Sequence, residues 1–272
     1  MNNIGIISGG GTLPVAIGKN LSKKDLNVVF FVIEDSFDPL IYEEQEVCII
    51  NLNSAKQIIK HLKSYKIDDI ILAGNIKRPS IKDIKFDFQT LKIAKNLLVK
   101  KNGDNQLLES IKEFFYENGF GYFDWKNFCP ELFSKDDYLT TSKPSKQAQE
   151  NLEVALKIFN NYGRLDLGQS IIVQNQIILG LEAVEGTDEL IIRCNNLKKS
   201  GDKGILVKLS KYNQSNILDI PTIGKNTIKV LSLNDYEGIF LEKNHCIILD
   251  KDETINIANN NNIFISTCNK IE

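Results

Sequence analysis

Short β-branched runs alternate with helix-period stretches through the first third of the chain, and this alternation restricts the possible folds more than any other feature. The runs Ile4 to Ser8, Val28 to Ile33, Val47 to Ile50 and Ile70 to Ala73 read as strands, with helical patterns over Leu13 to Lys23 and Ala55 to Tyr65. Strand, helix and strand in repetition predict βαβ units around a parallel sheet, because a parallel neighbour needs a crossover long enough to hold a helix. Two further helical patterns, Phe88 to Val99 and Gln106 to Asn118, precede an aromatic strip at Phe120, Tyr122, Phe123 and Trp125.

Periodicity is lost between Cys129 and Pro144, where Pro130, Ser134, Thr140, Thr141 and Ser142 surround the charges Lys135, Asp136 and Asp137. Turn-forming and polar residues of this kind suit a connection between domains. Beyond it the sequence predicts a helix from Ser145 to about Tyr162 and a strand pair, Ser170 to Gln174 and Ile177 to Glu182, closed by Asn175-Gln176. A helix after Asp188, a strand at Ile205 to Lys208, strands near Ile239 and Ile247, a helix after Asp252 and a strand Ile263 to Thr267 complete the pattern. The chain of 272 residues is therefore expected to hold two α/β domains. The first is Rossmann-like with a parallel sheet over 1–130; a linker over 131–144 joins it to a mixed-sheet domain over 145–272.

Composition narrows the chemistry. A formal charge of −2 argues against a scaffold that holds nucleic acid by bulk electrostatics. The five cysteines are scattered without a Cys-x-x-Cys pair, which reads as reduced thiols in a cytoplasm and not as structural zinc. The N-terminus lacks a basic segment followed by an apolar core, and no apolar run nears the roughly 20 residues that span a bilayer. The expected protein is soluble, or rests on a membrane surface.

Several stretches have the residue types of a site. Ser8-Gly9-Gly10-Gly11-Thr12-Leu13-Pro14 follows the first strand and opens a helix, a setting in which backbone amides and the helix dipole attract a phosphate. It equally suits a tight turn with nothing bound, and it is neither the G-x-G-x-x-G dinucleotide fingerprint nor a Walker A loop. Gly74-Asn75-Ile76-Lys77-Arg78 ends another strand: Lys77 and Arg78 suit a diphosphate and Asn75 a sugar or base, or the basic pair is solvated surface. Asp104 follows Lys101-Asn102-Gly103 and is either a helix cap or a polar site residue.

In the second half, Glu182, Glu185, Asp188 and Asp219 form a set of hard oxygen donors suited to Mg²⁺, with capping and solvated charge as the plainer roles. Asp219 precedes Ile220-Pro221-Thr222-Ile223-Gly224, where Pro221 stiffens the backbone and Thr222 is placed to cap the helix suggested by Ile223, Ile228 and Leu231.

Taken in order, Gly5 to Pro14, Ala73-Gly74-Asn75, Lys101 to Asp104, Gly163 to Gln169, Glu182 to Asp188 and Asp219 to Gly224 resemble the LpxI family of UDP-2,3-diacylglucosamine pyrophosphatases nearly end to end. The resemblance implies two linked domains with an acylated sugar phosphate between them. It also implies hydrolysis of UDP-2,3-diacylglucosamine to UMP and 2,3-diacylglucosamine 1-phosphate (lipid X) in lipid A synthesis, with the C-terminal domain catalytic. The family's essential aspartate maps onto Asp219, and its divalent cation, Mg²⁺, onto Asp219 with Asp188 and Glu185. Substrate contacts are then expected at Gly10, Gly11, Thr12, Leu13, Gly74, Asn75, Lys77, Arg78, Asp104, Gln169, Thr187 and Thr222. Attack at the lipid-side β phosphorus, and transient contact with the inner face of the inner membrane, also follow from the resemblance alone. Acyl chains are expected in an apolar interdomain cleft lined by Phe88, Leu91, Leu97 and Leu98. The other readings are a nucleotide-sugar-binding module without turnover and an NAD-dependent oxidoreductase, the latter resting on Glu34 and Asp35. Oligomeric state is open, a homodimer included.

Overall fold

The computed structural model describes residues 3–52, 54–75, 104–163, 168–212 and 220–270, with backbone alone for 104–110. The chain divides into two compact units, Met1–Pro130 and Glu131–Glu272. Each is an α/β layer structure.

In the first unit β1 (Asn3–Ser8), α1 (Leu13–Ser22), β2 (Asn27–Ile33), β3 (Val47–Ile50), α2 (Ala55–Ser64), β4 (Asp69–Ala73), α3 (Asp104–Glu117) and β5 (Gly121–Tyr122) follow in order. The strands form one sheet in the order β3-β2-β1-β4-β5, all neighbours parallel. β1 and β2 are buried over most of their length because both faces of a parallel sheet are covered by helices. Ile7, Phe31 and Ile70 pack with Ile58, Ile59 and Leu62 of α2 and with Phe115 of α3. Of the aromatic strip only Tyr122 lies in β5, an edge strand too short to show a period of two.

The second unit contains α4 (Lys146–Tyr162), β6 (Ser170–Gln174), β7 (Ile177–Leu181), α5 (Thr187–Asn195), β8 (Ile205–Lys208), β9 (Thr222–Ile223), α6 (Lys225–Leu233), β10 (Gly238–Glu242), β11 (Ile247–Ile248), α7 (Lys251–Asn260) and β12 (Phe264–Cys268). Its main sheet runs β12-β10-β8-β6-β7, and β9 pairs with β11 apart from it. β8, β10 and β12 are parallel, and β6 is antiparallel to both β7 and β8. Side-chain alternation decides what covers each face: Ile205 and Val207 meet Ala155 and Phe159 of α4, whereas Leu206 meets Leu190 and Ile191 of α5 and Ile228 of α6. The β6–β7 hairpin turns on Asn175 and Gln176, both with positive φ (50° and 60°), the conformation that matches strand twist in a two-residue turn. The stretch after Pro130 lies on the second unit, where the Ser134 N–H donates to Cys246 O at 2.9 Å and the Leu139 N–H to Ile265 O at 2.9 Å.

Candidate functional site

Strand order places a candidate site in the first unit. The chain leaves β1 toward β2 and β3 on one side of the sheet and places β4 and β5 on the other, so β1 and β4 flank a topological switch point. Open α/β sheets leave a crevice there, beyond the carboxyl ends of the strands. The loops that meet at this point are Gly9 to Thr12 and Gly74-Asn75. They are stitched together: the Gly10 N–H donates to Asn75 O at 2.7 Å, the Asn75 N–H to Gly10 O at 2.9 Å and the Gly9 N–H to Ala73 O at 2.9 Å. Gly9 is needed because a Cβ there would sit 2.5 Å from Asn75 O, and Gly74 because its φ is +90°.

The Gly10 amide therefore serves the loop. The amides of Gly11, Thr12 and Leu13 lie at the start of α1, where the helix leaves its first N–H groups without intrahelical acceptors. Thr12 holds the N-cap position but its hydroxyl makes no capping bond, and Pro14 brings no N–H. This combination of an uncapped helix start and an exposed glycine suits an anionic oxygen.

The second unit has a polar group of its own, built where β7, β8 and β10 end and β6 begins. Lys208, the last residue of β8, is 4% exposed. Its Nζ donates to Thr187 Oγ1 at 2.6 Å and to Ser170 Oγ at 3.2 Å, and lies 3.8 Å from Glu182 Oε2. Glu182 accepts from Thr187 Oγ1 at 2.9 Å and from the Gln169 N–H at 3.0 Å. Burial pushes the Glu182 carboxyl up, but Lys208, the hydroxyls of Ser170 and Thr187 and the Gln169 amide outweigh it and hold the carboxyl below its ordinary range. The Tyr162 hydroxyl is buried without a hydrogen-bond partner among the described residues, and burial followed by the Glu182 charge pushes it up.

Beside this group, Glu242 at the end of β10 accepts from the N–H and hydroxyl of Ser210 at 2.7 and 2.8 Å, and pairs with Lys270 at 3.2 Å. Sequence reasoning missed Lys208, Ser170, Glu242, Ser210 and Lys270. The available signal was a charge closing an apolar strand, in ILVK and GIFLE, which a parallel sheet delivers to its carboxyl edge.

Two of the three carboxylates expected to bind metal, Glu185 and Asp188, have protein partners. Glu185 Oε1 pairs with Arg193 at 2.8 Å and Oε2 accepts from the Ala183 N–H at 3.1 Å. Its own backbone N–H, and after it Arg193 and the Ala183 N–H, lower its carboxyl against a cost of burial. Asp188 accepts from Asn226 Nδ2 at 2.6 Å and Thr227 Oγ1 at 3.0 Å, tying α5 to α6. Among the described residues no three His, Cys, Asp or Glu side chains come together as a metal shell. Glu185 and Asp188 are thus each held by protein donors.

Thr222 departs from its expected capping role. It lies in β9, paired with Ile247, its hydroxyl donates to Ile220 O at 2.9 Å, and Gly224 is the N-cap of α6. Pairing with β11 keeps this backbone extended, so the helix starts later than the apolar spacing suggests. Asp219, Lys77, Arg78, Phe88, Leu91, Leu97, Leu98 and the side chain of Asp104 lie outside the described residues. Of the expected contacts, Gly10, Gly11, Thr12, Leu13, Gly74 and Asn75 share one sheet edge of the first unit. Gln169 and Thr187 share one buried network in the second unit. No described helix is long and apolar enough to cross a membrane.

Residues 3–132 match the family model for the LpxI N-terminal domain, and residues 135–266 match that for the LpxI C-terminal domain. UDP-2,3-diacylglucosamine pyrophosphatase LpxI of Caulobacter vibrioides is 26% identical over 272 residues, covering 97% of this chain and 97% of the relative.

Proposed function

The chain belongs to the LpxI family, and from that membership we propose that it hydrolyses UDP-2,3-diacylglucosamine to UMP and 2,3-diacylglucosamine 1-phosphate in lipid A synthesis. The observation that carries this reading is that two consecutive family models, 3–132 and 135–266, span the chain, which aligns with the relative over 97% of each. The structure supports it with polar groups at the carboxyl edge of each sheet.

Hydrolysis of a phosphoanhydride needs the charge of two phosphates met and a water placed in line with the leaving oxygen. The amides of Gly11, Thr12 and Leu13 are suited to phosphate oxygens. The second unit, with Gln169 and Thr187 fixed by one carboxylate, is taken as the catalytic one. Asp219 is assigned the essential carboxylate on resemblance. Water attacks the β phosphorus, the bond to the bridging oxygen breaks, and UMP leaves. The cation requirement rests on resemblance alone, and no step is derived through it. The diacyl substrate places the working enzyme against a bilayer surface.

Release of UMP from UDP-2,3-diacylglucosamine, measured with Mg²⁺ and with EDTA, is the direct test. In H₂¹⁸O the label should enter the lipid product. Asp219→Ala should lose turnover while still binding the substrate in vesicles; full activity in that variant removes the assigned role, and absence of turnover in the unaltered protein favours a binding module.

A further inference from the structure

Glu182 connects two segments that reach the carboxyl edge of the second sheet by different routes. Gln169 and Gly168 belong to the loop before β6, and Thr187 is the first residue of α5. The Gly168 N–H donates to Glu182 O at 2.9 Å, so close that a Cβ on Gly168 would lie 2.3 Å from that oxygen. The side chain takes the Gln169 N–H on one oxygen and the Thr187 hydroxyl on the other, at 3.0 and 2.9 Å. Lys208 reaches the same hydroxyls of Thr187 and Ser170 from β8. Among the described residues, the groups facing Glu182 are Lys208 from β8, Ser170 from β6, Thr187 from α5, the Gln169 N–H and the Tyr162 hydroxyl from α4.

A buried ion pair seldom improves stability over an apolar pair of the same volume, so its presence needs another reason. Here the ammonium lies beside the first turn of α5, the end of a helix that repels cations. Glu182 offsets that repulsion and in doing so fixes both segments.

We infer that Glu182 and Lys208 form one positioning pair, holding Gln169 and Thr187 in the geometry that the reaction requires without touching the reacting atoms. This rests on the proposed hydrolase reading and deepens it. Glu182→Gln keeps the shape and removes the charge. Lys208→Met removes the cation and leaves a buried carboxylate unopposed, which then takes a proton nearer neutrality.

The experiment measures kcat, KM, their pH profiles and Tm for UMP release by Glu182→Gln, Lys208→Met and the double variant. Displacing positioned groups by about an ångström costs on the order of 10²-fold in rate, and each single variant should lose about that in kcat. Lys208→Met should also gain an acid limb of kcat/KM shifted toward neutral pH. The double variant, having no carboxylate to protonate, should lose that limb and exceed either single variant in kcat. A kcat within twofold of the unaltered protein in either single variant, or a double variant equal to the product of the two losses, overturns the inference. If Lys208→Met does not fold, Glu182→Gln against the double variant decides it on the same criterion. No UMP release from the unaltered protein sinks the proposed function; full activity in the variants alongside normal turnover sinks this inference alone.

Discussion

Replacing Gly9 with Ala tests how closely the two loops at the head of the first sheet must approach. A Cβ on Gly9 would stand 2.5 Å from Asn75 O and 2.7 Å from Asn75 C, both backbone atoms that no side-chain rotation can move aside. Relief requires the loops to separate, which lengthens or breaks the paired bonds between Gly10 and Asn75 at 2.7 and 2.9 Å. Two backbone hydrogen bonds contribute about 1–3 kcal/mol together. Steric overlap in a packed site costs about 1–3 kcal/mol more. Partial relaxation trades one cost for the other, leaving about 3 kcal/mol. For a unit of this size that corresponds to a fall of roughly 10 °C in Tm. Differential scanning calorimetry on Gly9→Ala, with Gly10→Ala as reference, makes the assay. The Cβ at Gly10 meets nothing nearer than Asn75 O at 3.6 Å, so that variant should lose less than about 1 kcal/mol. Equal Tm values for the two variants would refute the reasoning, because they differ chiefly in this one contact.

Other consequences are measurable. Gln176→Gly in the β6–β7 turn, where φ is 60°, should raise stability by about 0.5–1 kcal/mol in urea titration, since glycine takes left-handed backbone without the Cβ cost. Glu182 has a lowered carboxyl, so its stabilisation is present above its ordinary pKa of 4.5 and lost as pH falls through the lowered value. Denaturation midpoints between pH 7 and pH 3 should therefore fall less steeply in Glu182→Gln than in the unaltered protein. Among the thiols, Cys48 is partly exposed, while burial pushes Cys246 up to about 12 and raises Cys268 further. Ellman's reagent should modify Cys48 first, and Cys246 only as fast as the second unit opens; equal rates for both would contradict the packing.

Most of the described strands and helices of both units were legible because their signals are local. Period-two and period-3.6 patterns, Pro14, and the Asn175-Gln176 turn report backbone preferences that neighbouring residues set within a few positions. β9 and β5 were not legible, since two residues cannot show a period and their pairing depends on partners distant in sequence, Ile247 for Thr222 and Asp69 for Gly121. Thr222 shows the same limit: it was expected to cap a helix, and pairing with Ile247 places it in a strand instead.

For the site, the sequence by itself determined which residues carry charge and hydrogen-bonding capacity, that glycines lie at the β1 and β4 turns, and the family to which the order of motifs points. Tertiary structure alone decided how those capacities are used. It joined Gly10 to Asn75, gave Glu185 to Arg193 and Asp188 to α6, and brought Lys208 to Glu182 and Thr187. The reason is physical: a carboxylate's role depends on which donors lie within about 3 Å of it, and those donors are supplied by strand order and sheet register, which no single stretch of sequence contains.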